Sequence, residues 1–257
     1  MSKIIAVANQ KGGVGKTTTS VNLAACLAVA ENNVLLVDLD PQANSTSAVG
    51  VKAKHGTIYE VLIDDEPIEQ SICSTALDHL KLIPSHINLS GGELELAGML
   101  SRETRLRNAL TNSVVSNFDY IILDCPPALN LLTLNALTAA HSVLIPVQAE
   151  FLAMSGLAML QNTINLVTNH LNKSLHIEGV LLTLYNPNLV HAKGVENELL
   201  SFYGDQLYNT RIRRNTKLSE APSFGKPIIL YDIGCSGSQD YLSLAAEVLY
   251  HNTLQDP

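Results

Sequence analysis

The feature that most constrains the fold lies near the amino end, where residues 3–20 read KIIAVANQKGGVGKTTTS. An apolar, β-branched run leads into a glycine-rich stretch, and a lysine and three threonines then open a helix-compatible segment. Glycines allow a tight turn, so that successive backbone N–H groups and the start of a helix converge on one point. Phosphate oxygens bind at such points. The sequence therefore predicts a strand, a phosphate-binding loop and a helix, in that order.

This loop contains two lysines, although one is enough to bind a phosphate. The usual pattern G-x-x-x-x-G-K-[ST] has a glycine where this chain has Gln10. Lys16 is expected to bind the β- and γ-phosphates, and the Thr17 hydroxyl is expected to bind Mg²⁺. The alternative is a glycine-rich turn with incidental lysines, which does not explain the ordered pattern. The residues whose backbone N–H groups should surround the phosphates are Gly13, Val14, Gly15, Lys16, Thr17 and Thr18.

Short apolar runs alternate with longer helix-compatible segments along the whole chain. Continuous apolar strands separated by helices are typical of a parallel sheet covered on both faces. We therefore predict an α/β fold: one doubly wound, mostly parallel sheet in a single domain spanning residues 1–257. The predicted strands are 3–8, 33–38, 80–84, 120–124, 142–147, 177–185 and 227–230. The predicted helices are 16–30, 92–117, 155–171, 192–203 and 238–250.

Acidic residues follow two further predicted strands. Asp38 and Asp40 come at the end of VLLVDLD, two residues apart, which places both carboxylates on the same side if the strand continues. Asp124 ends the run YIILD. Beside a phosphate site, such acids hold Mg²⁺ or orient the attacking water. A pair of solvated acids at a turn is the alternative interpretation for Asp38 and Asp40.

Charge is distributed unevenly. The chain has 257 residues and a net charge of −8, which argues against a nucleic-acid partner until its distribution is considered. Residues 211–226 alone carry +4, while the rest of the chain carries −12. These residues form one basic island on an otherwise acidic chain, and a solvated loop is one interpretation of it. Its cations are Arg211, Arg213, Arg214, Lys217 and Lys226.

No run of residues approaches the roughly 18 apolar residues that cross a bilayer, and no signal-peptide pattern opens the chain. We therefore expect a cytoplasmic protein. The four cysteines are scattered, without metal-binding spacing, so reduced thiols are expected.

Taken together, these segments resemble the deviant Walker A ATPases, in the ParA/Soj branch of chromosome and plasmid partition proteins. The resemblance implies a P-loop ATPase that uses ATP and Mg²⁺, hydrolyses ATP slowly, and forms a homodimer when ATP binds. The matching motifs run nearly end to end: KGGVGKTTT, LLVDLDPQANST, YIILDCPPALNLLTLNAL, VLIPVQAE, IEGVLLTLY and LSEAPSFGKPIILYD.

The resemblance also assigns roles to single residues. Lys11 is the signature lysine, which reaches the nucleotide held by the partner subunit. Gly12 and Gly13 are small because the two subunits pack closely around the phosphates. The catalytic residues implied are Lys11, Lys16 and Asp40, and the metal residues are Thr17, Asp40 and Asp124. Asn215 matches an adenine-contacting asparagine, although Arg213 stands where the family often has proline.

The implied partners are non-specific double-stranded DNA and a ParB-type centromere-binding protein that stimulates hydrolysis, with the protein located on the nucleoid. The resemblance thereby gives the basic island a role as the DNA-binding surface. Lys217 falls where the branch commonly has a DNA-contacting arginine, whereas Asn188 replaces a second one. A MinD-like membrane ATPase is the main alternative, and the ending LYHNTLQDP lacks the basic amphipathic segment that it would use. A metal-cluster carrier and a DNA-binding module with a decayed ATPase are less consistent with these residues.

Overall fold

The computed structural model describes residues 2–53, 55–111, 114–150 and 153–255. One sheet runs through this part of the chain, in the strand order β3-β4-β2-β5-β1-β6-β7-β8. Neighbouring strands are parallel except for the short β3, which pairs antiparallel with β4. The strands are β1 (Lys3–Val7), β2 (Val34–Asp38), β3 (Cys73–Ser74), β4 (Leu80–Ile83), β5 (Tyr120–Asp124), β6 (Ser142–Gln148), β7 (His176–Tyr185) and β8 (Leu207–Arg213).

Helices cover both faces of the sheet, because successive side chains of each buried strand point to opposite faces. Ile5 and Val7 of β1 pack in one apolar cluster, with α1, α2, α9, α10 and α11, while Ala6 packs in the other, with α3 to α8. The helices are α1 (Lys16–Val29), α2 (Asn44–Ala48), α3 (Ile58–Ile63), α4 (Leu89–Ala97), α5 (Arg105–Ala109), α6 (Leu131–Ala139), α7 (Ala153–His170), α8 (Val190–Tyr203), α9 (Thr216–Glu220), α10 (Ile228–Tyr231) and α11 (Ser236–Gln255).

This architecture confirms the predicted α/β fold, a doubly wound and mostly parallel sheet with helices on both faces. Six of the seven predicted strands form, with ends shifted by at most two residues. Within the described ranges, none of the helices combines the length and the apolar character that crossing a bilayer requires.

Two predictions were wrong. The run at 227–230 is not a strand: Pro227 ends the extended backbone, and α10 follows, with the Ile228 N–H donated to Asn22 Oδ1 at 2.7 Å. Nor is 92–117 one helix. The first helix in this region, α4, starts before residue 92 and ends at Ala97, and Ser101 then adopts a φ of 54°, which a right-handed helix cannot contain.

Candidate phosphate and magnesium site

The predicted phosphate-binding loop connects β1 to α1 at the carboxyl edge of the sheet. Gly15 caps α1 with a φ of 85°, and Gly13 has a φ of 74°. A residue with a side chain is strained by roughly 1–2 kcal/mol in this left-handed region, so these two glycines are required by the backbone path. Gly12 and Gly13 are exposed, and a Cβ added at either would meet no atom within 4 Å. The loop therefore presents open backbone, without side chains, to whatever approaches it.

Neighbouring strands hold this loop in place through two side chains. Asn9 donates from Nδ2 to the Pro146 carbonyl at 2.7 Å and accepts from the Lys11 N–H at 3.0 Å. Thr183, on β7, donates to the Val14 carbonyl at 2.7 Å. Sequence reasoning missed Asn9 and Thr183, because a single polar residue beside a strand gives no signal of what it contacts.

Lys16 lies at the first position of α1 with only 6% of its surface exposed. Its Nζ donates to the Lys11 carbonyl at 3.1 Å, and among the described residues it makes no salt bridge. Burial lowers the pKa of Lys16, while the charges of Asp124 and Asp40 act in the opposite direction. A buried ammonium with spare N–H donors and no carboxylate partner fits a bound phosphate, which would supply both charge and acceptors.

Asp38 and Asp124 are side by side on β2 and β5, and both are fully buried. Asp124 accepts hydrogen bonds from Ser20 at 2.9 Å, from Ser45 at 2.7 Å, and from Thr17. Burial raises the pKa of both aspartates, and the charge of Asp124 raises that of Asp38 further. A divalent cation would offset this cost of burying negative charge beside negative charge. These residues therefore fit Mg²⁺, with Thr17 and Asp124 placed to hold it directly or through water.

The two aspartates of the DLD sequence do not have the same environment. Asp38 accepts from the Thr46 N–H at 2.8 Å and from the Thr46 hydroxyl at 2.7 Å, so its carboxylate is hydrogen-bonded to α2. Among the described residues, the one donor to the Asp40 carboxylate is the Gln42 N–H, at 2.9 Å, and the charge of Asp40 acts on Lys16 and Asp124. Of this pair, Asp40 therefore keeps more free oxygen lone pairs for a water or a metal. The described residues contain no group of three or more His, Cys, Asp or Glu suited to a metal.

Lys11 has a partner outside the loop. Its Nζ lies 2.5 Å from Glu150 Oε2, and the side chains are 37% and 45% exposed. Glu150 follows β6 and is the last residue of the VLIPVQAE motif, yet nothing in the sequence assigned it a role. The two lysines are thus separated by environment: Lys16 is buried at the phosphate-binding position, and Lys11 is partly exposed in an ion pair.

The basic island is less basic in the folded chain than in the sequence. Arg211 pairs with Glu196 at 2.7 Å, Arg213 with Asp240 at 2.6 Å, and Lys217 with Asp232 at 3.2 Å. These acids come from distant segments, so a count along the sequence does not include them. Arg214 and Lys226 are exposed and make no salt bridge with any described residue.

Asn215, predicted to contact adenine, caps α9 in the structure. Its Oδ1 accepts from the Lys217 N–H at 2.8 Å, and its Nδ2 donates to Ser236 Oγ at 2.7 Å. One N–H of its amide remains for another acceptor. A contact with the base therefore stays a prediction.

Comparison with known proteins agrees with this geometry. Residues 2–177 match the family model of an AAA domain. The sporulation initiation inhibitor protein Soj of Bacillus subtilis is 53% identical over 250 residues, covering 96% of this chain and 98% of that protein. The chromosome partitioning protein ParA of Myxococcus xanthus is 49% identical over 259 residues, covering 100% of this chain and 91% of that protein.

A solved structure with a different name has the same fold. The crystal structure of cobyrinic acid a,c-diamide synthase from Mycobacterium smegmatis, with bound ADP and magnesium, superimposes with a TM-score of 0.84. It is 35% identical, and the match covers 98% of this chain and 96% of that chain. The partition proteins are more similar in sequence and match over nearly their full length. The chain therefore belongs to the ParA/Soj-type family of partition ATPases, within the MinD/ParA group of P-loop ATPases.

Proposed function

We propose that this partition ATPase is a nucleotide-controlled DNA-binding switch. ATP with Mg²⁺ closes two chains into a dimer, the dimer binds DNA without sequence preference, and hydrolysis releases it. The hydrolysis is slow until a ParB-type partner, bound to a centromere-like site, accelerates it. The protein then spends its ATP-bound period on the nucleoid. The observation that carries this proposal is the separation of Lys11 from Lys16 at the phosphate-binding loop.

The separated lysines support a dimer because each lysine fits a different phosphate. Lys16 is buried and fits the nucleotide of its own chain. Lys11 is held by Glu150 and partly exposed, beside Gly12 and Gly13, where no side chain obstructs a second chain. A cation supplied in trans stabilises the charge that develops on a transferred phosphoryl group, typically by about 10³ to 10⁵ in rate. ATP would thus bring the two chains together, and each chain would complete the site of the other.

Within one chain, the acids divide between metal and water. Thr17 and Asp124 are the residues that hold Mg²⁺, which supplies charge neutralisation at the phosphates when bound. Asp40 is the residue that orients the attacking water, since Asp38 is already engaged by Thr46. Asn215 is the candidate for recognition of the base through its remaining N–H.

We assign the DNA contacts to the cations that are least engaged in ion pairs within the chain. Arg214 and Lys226 are exposed, and Lys217 pairs with Asp232 only at 3.2 Å, with its side chain 45% exposed. Arg211 and Arg213 have shorter ion pairs, and these connect β8 to α8 and α11. A dimer would place two such sets on one surface, which could bind a phosphate backbone through counterion release.

The proposed function predicts that DNA co-sediments with the protein in the presence of Mg²⁺ and a slowly hydrolysed ATP analogue, but not with ADP or without nucleotide. Arg214→Ala combined with Lys217→Ala should lower DNA affinity with the analogue. Each lost phosphate contact should reduce the slope of log K against log[salt] by about 0.9 per subunit. The measurement is a salt titration of DNA binding.

Two controls define the result. Lys173→Ala removes an exposed lysine before β7, at the amino edge of the sheet, and should leave the slope unchanged. Arg211→Ala should lower the melting temperature, because it leaves Glu196 without its cation, with little effect on the slope. Equal DNA binding with ATP analogue and ADP would contradict the switch, and an unchanged slope in the double variant would return the island to a solvated loop.

A further inference from the structure

Two glycines bring distant segments into direct backbone contact. Gly50 follows α2, and Gly225 follows the 3-10 turn Ala221–Phe224, with φ angles of 78° and 62°. A Cβ added at Gly50 would lie 2.8 Å from the Gly225 carbonyl oxygen, and one added at Gly225 would lie 2.7 Å from Gly50 Cα. Backbone atoms cannot move aside as a flexible side chain can. We call this contact the glycine seam; a side chain at either position forces its two segments apart.

On one side of the seam, α2 is attached to the acids of the nucleotide site. Ser45 donates to Asp124 at 2.7 Å, while the Thr46 N–H and hydroxyl both donate to Asp38. Ser45 and Thr46 are buried. The position of α2, a helix of five residues, is therefore set by the carboxylates that lie beneath the phosphate-binding loop.

On the other side, the seam holds a segment that carries two of the candidate DNA-binding cations, Lys217 and Lys226. Residues 216–231 contain α9, which carries Lys217, then the turn Ala221–Phe224, Lys226 and α10. This segment is also fixed to α1 where the Ile228 N–H donates to Asn22. Between α1, α2 and this segment lies a cavity of about 290 Å³, lined mainly by apolar atoms. The cavity leaves space beside the part of the segment that precedes this anchor, so that part can shift when α2 shifts.

We propose that the glycine seam transmits the state of the nucleotide site to the basic segment 216–231. A ligand that binds beside Asp124 and Asp38 changes the hydrogen bonds that these carboxylates accept from Ser45 and Thr46. Helix α2 then moves, and the seam passes this movement to the segment that carries Lys217 and Lys226. The seam is suited to this role because two backbones in direct contact, with no side chain between them, cannot absorb a movement by a change of side-chain rotamer. Only the expected effect on DNA binding rests on the proposed function. The coupling itself operates within one chain.

Hydrogen exchange tests the coupling without DNA. In the unsubstituted protein, Mg²⁺ with a slowly hydrolysed ATP analogue should slow amide exchange in residues 216–231. Gly50→Ala and Gly225→Ala should each abolish that slowing while retaining binding of the analogue. Gly204→Ala is the control: its φ is also positive, at 51°, but an added Cβ meets nothing within 4 Å. It should respond like the unsubstituted protein.

A third variant tests the same coupling at the nucleotide site. Ser45→Ala detaches α2 from Asp124 without touching either glycine, and should weaken the same response. It also covers the case in which a glycine variant does not fold. The proposal is overturned if segment 216–231 does not respond in the unsubstituted protein, or responds equally in a folded seam variant.

DNA binding gives a second, separable result. The ratio of DNA affinities with and without the ATP analogue should fall by about tenfold in a seam variant, a typical size for allosteric coupling. If the unsubstituted protein shows no nucleotide-dependent DNA binding, the proposed function fails, while the exchange experiment still decides whether the seam transmits. An unchanged ratio in a folded seam variant counts against the seam alone.

Discussion

Lys16→Ala is expected to abolish ATP binding, with a loss of at least about a hundredfold in affinity. The reason is that Lys16 is the buried cation at the start of α1 and lacks a carboxylate partner among the described residues. A hydrogen bond between charged groups contributes about 1.5–3 kcal/mol, and Lys16 has more than one N–H to offer. Titration calorimetry with Mg²⁺ and a slowly hydrolysed ATP analogue measures the loss.

The fold should survive this change, because alanine removes a poorly compensated buried charge. Lys3→Ala is a suitable control, since Lys3 lies at the opposite end of β1 and pairs with Glu178 at 2.8 Å. That variant should lose stability but keep its affinity for nucleotide. Tight binding of the analogue by Lys16→Ala would contradict the assignment of this loop to phosphate.

Asp40→Ala should bind ATP, dimerise and remain on DNA, with hydrolysis slowed by about 10² to 10⁴, the usual contribution of a positioned acid or base. The structure supports a role in the chemistry rather than in folding, because the side-chain hydrogen bond that Asp40 makes within the described part of the chain is local, with the Gln42 N–H. Phosphate release under single-turnover conditions measures the rate, and sedimentation with DNA measures retention.

Asp38→Ala is the matched comparison, two residues earlier. It removes the acceptor for the Asp40 N–H and for both donors of Thr46, so it should lower the melting temperature strongly. If Asp40→Ala turned over ATP as fast as the unsubstituted protein, Asp40 would have no part in the mechanism. If it lost thermal stability as strongly as Asp38→Ala is expected to do, its role would be structural.

Patterns among residues close together in the sequence made much of the fold and of the candidate site predictable. The strand, loop and helix around Lys16 carry their signals within 18 residues, and buried parallel strands such as β5 are continuous apolar runs. The acids Asp38 and Asp124 could be placed at strand ends from the sequence, whereas the pairing of β2 with β5 that sets them side by side comes from the structure. Predictions of this kind depend on neighbours along the chain.

Features that depend on distant segments escaped prediction. The edge strand β8 was missed because LYNTRIR is polar, with one face covered by α11 and little apolar alternation. The run PIIL is apolar enough for a strand, but a run of four residues does not distinguish a strand from a helix. Likewise, the pairs Arg211 with Glu196 and Lys11 with Glu150 join residues 15 and 139 positions apart. No local pattern reveals these partners.

The central claim is that the ATP site is completed by Lys11 of a second chain, and the molar mass in solution tests it most directly. Light scattering with Mg²⁺ and a slowly hydrolysed ATP analogue should show the unsubstituted protein as a dimer, and without nucleotide as a monomer. Glu150→Gln, which releases Lys11 from its ion pair, should still dimerise with the analogue.

Lys11→Ala decides the question. It should bind the analogue, because Lys16 remains in place, and yet stay monomeric at concentrations where the unsubstituted protein is fully dimeric. Binding of the analogue without a change in mass is the result that the account predicts. A Lys11→Ala protein that binds the analogue and dimerises as the unsubstituted protein does would contradict it.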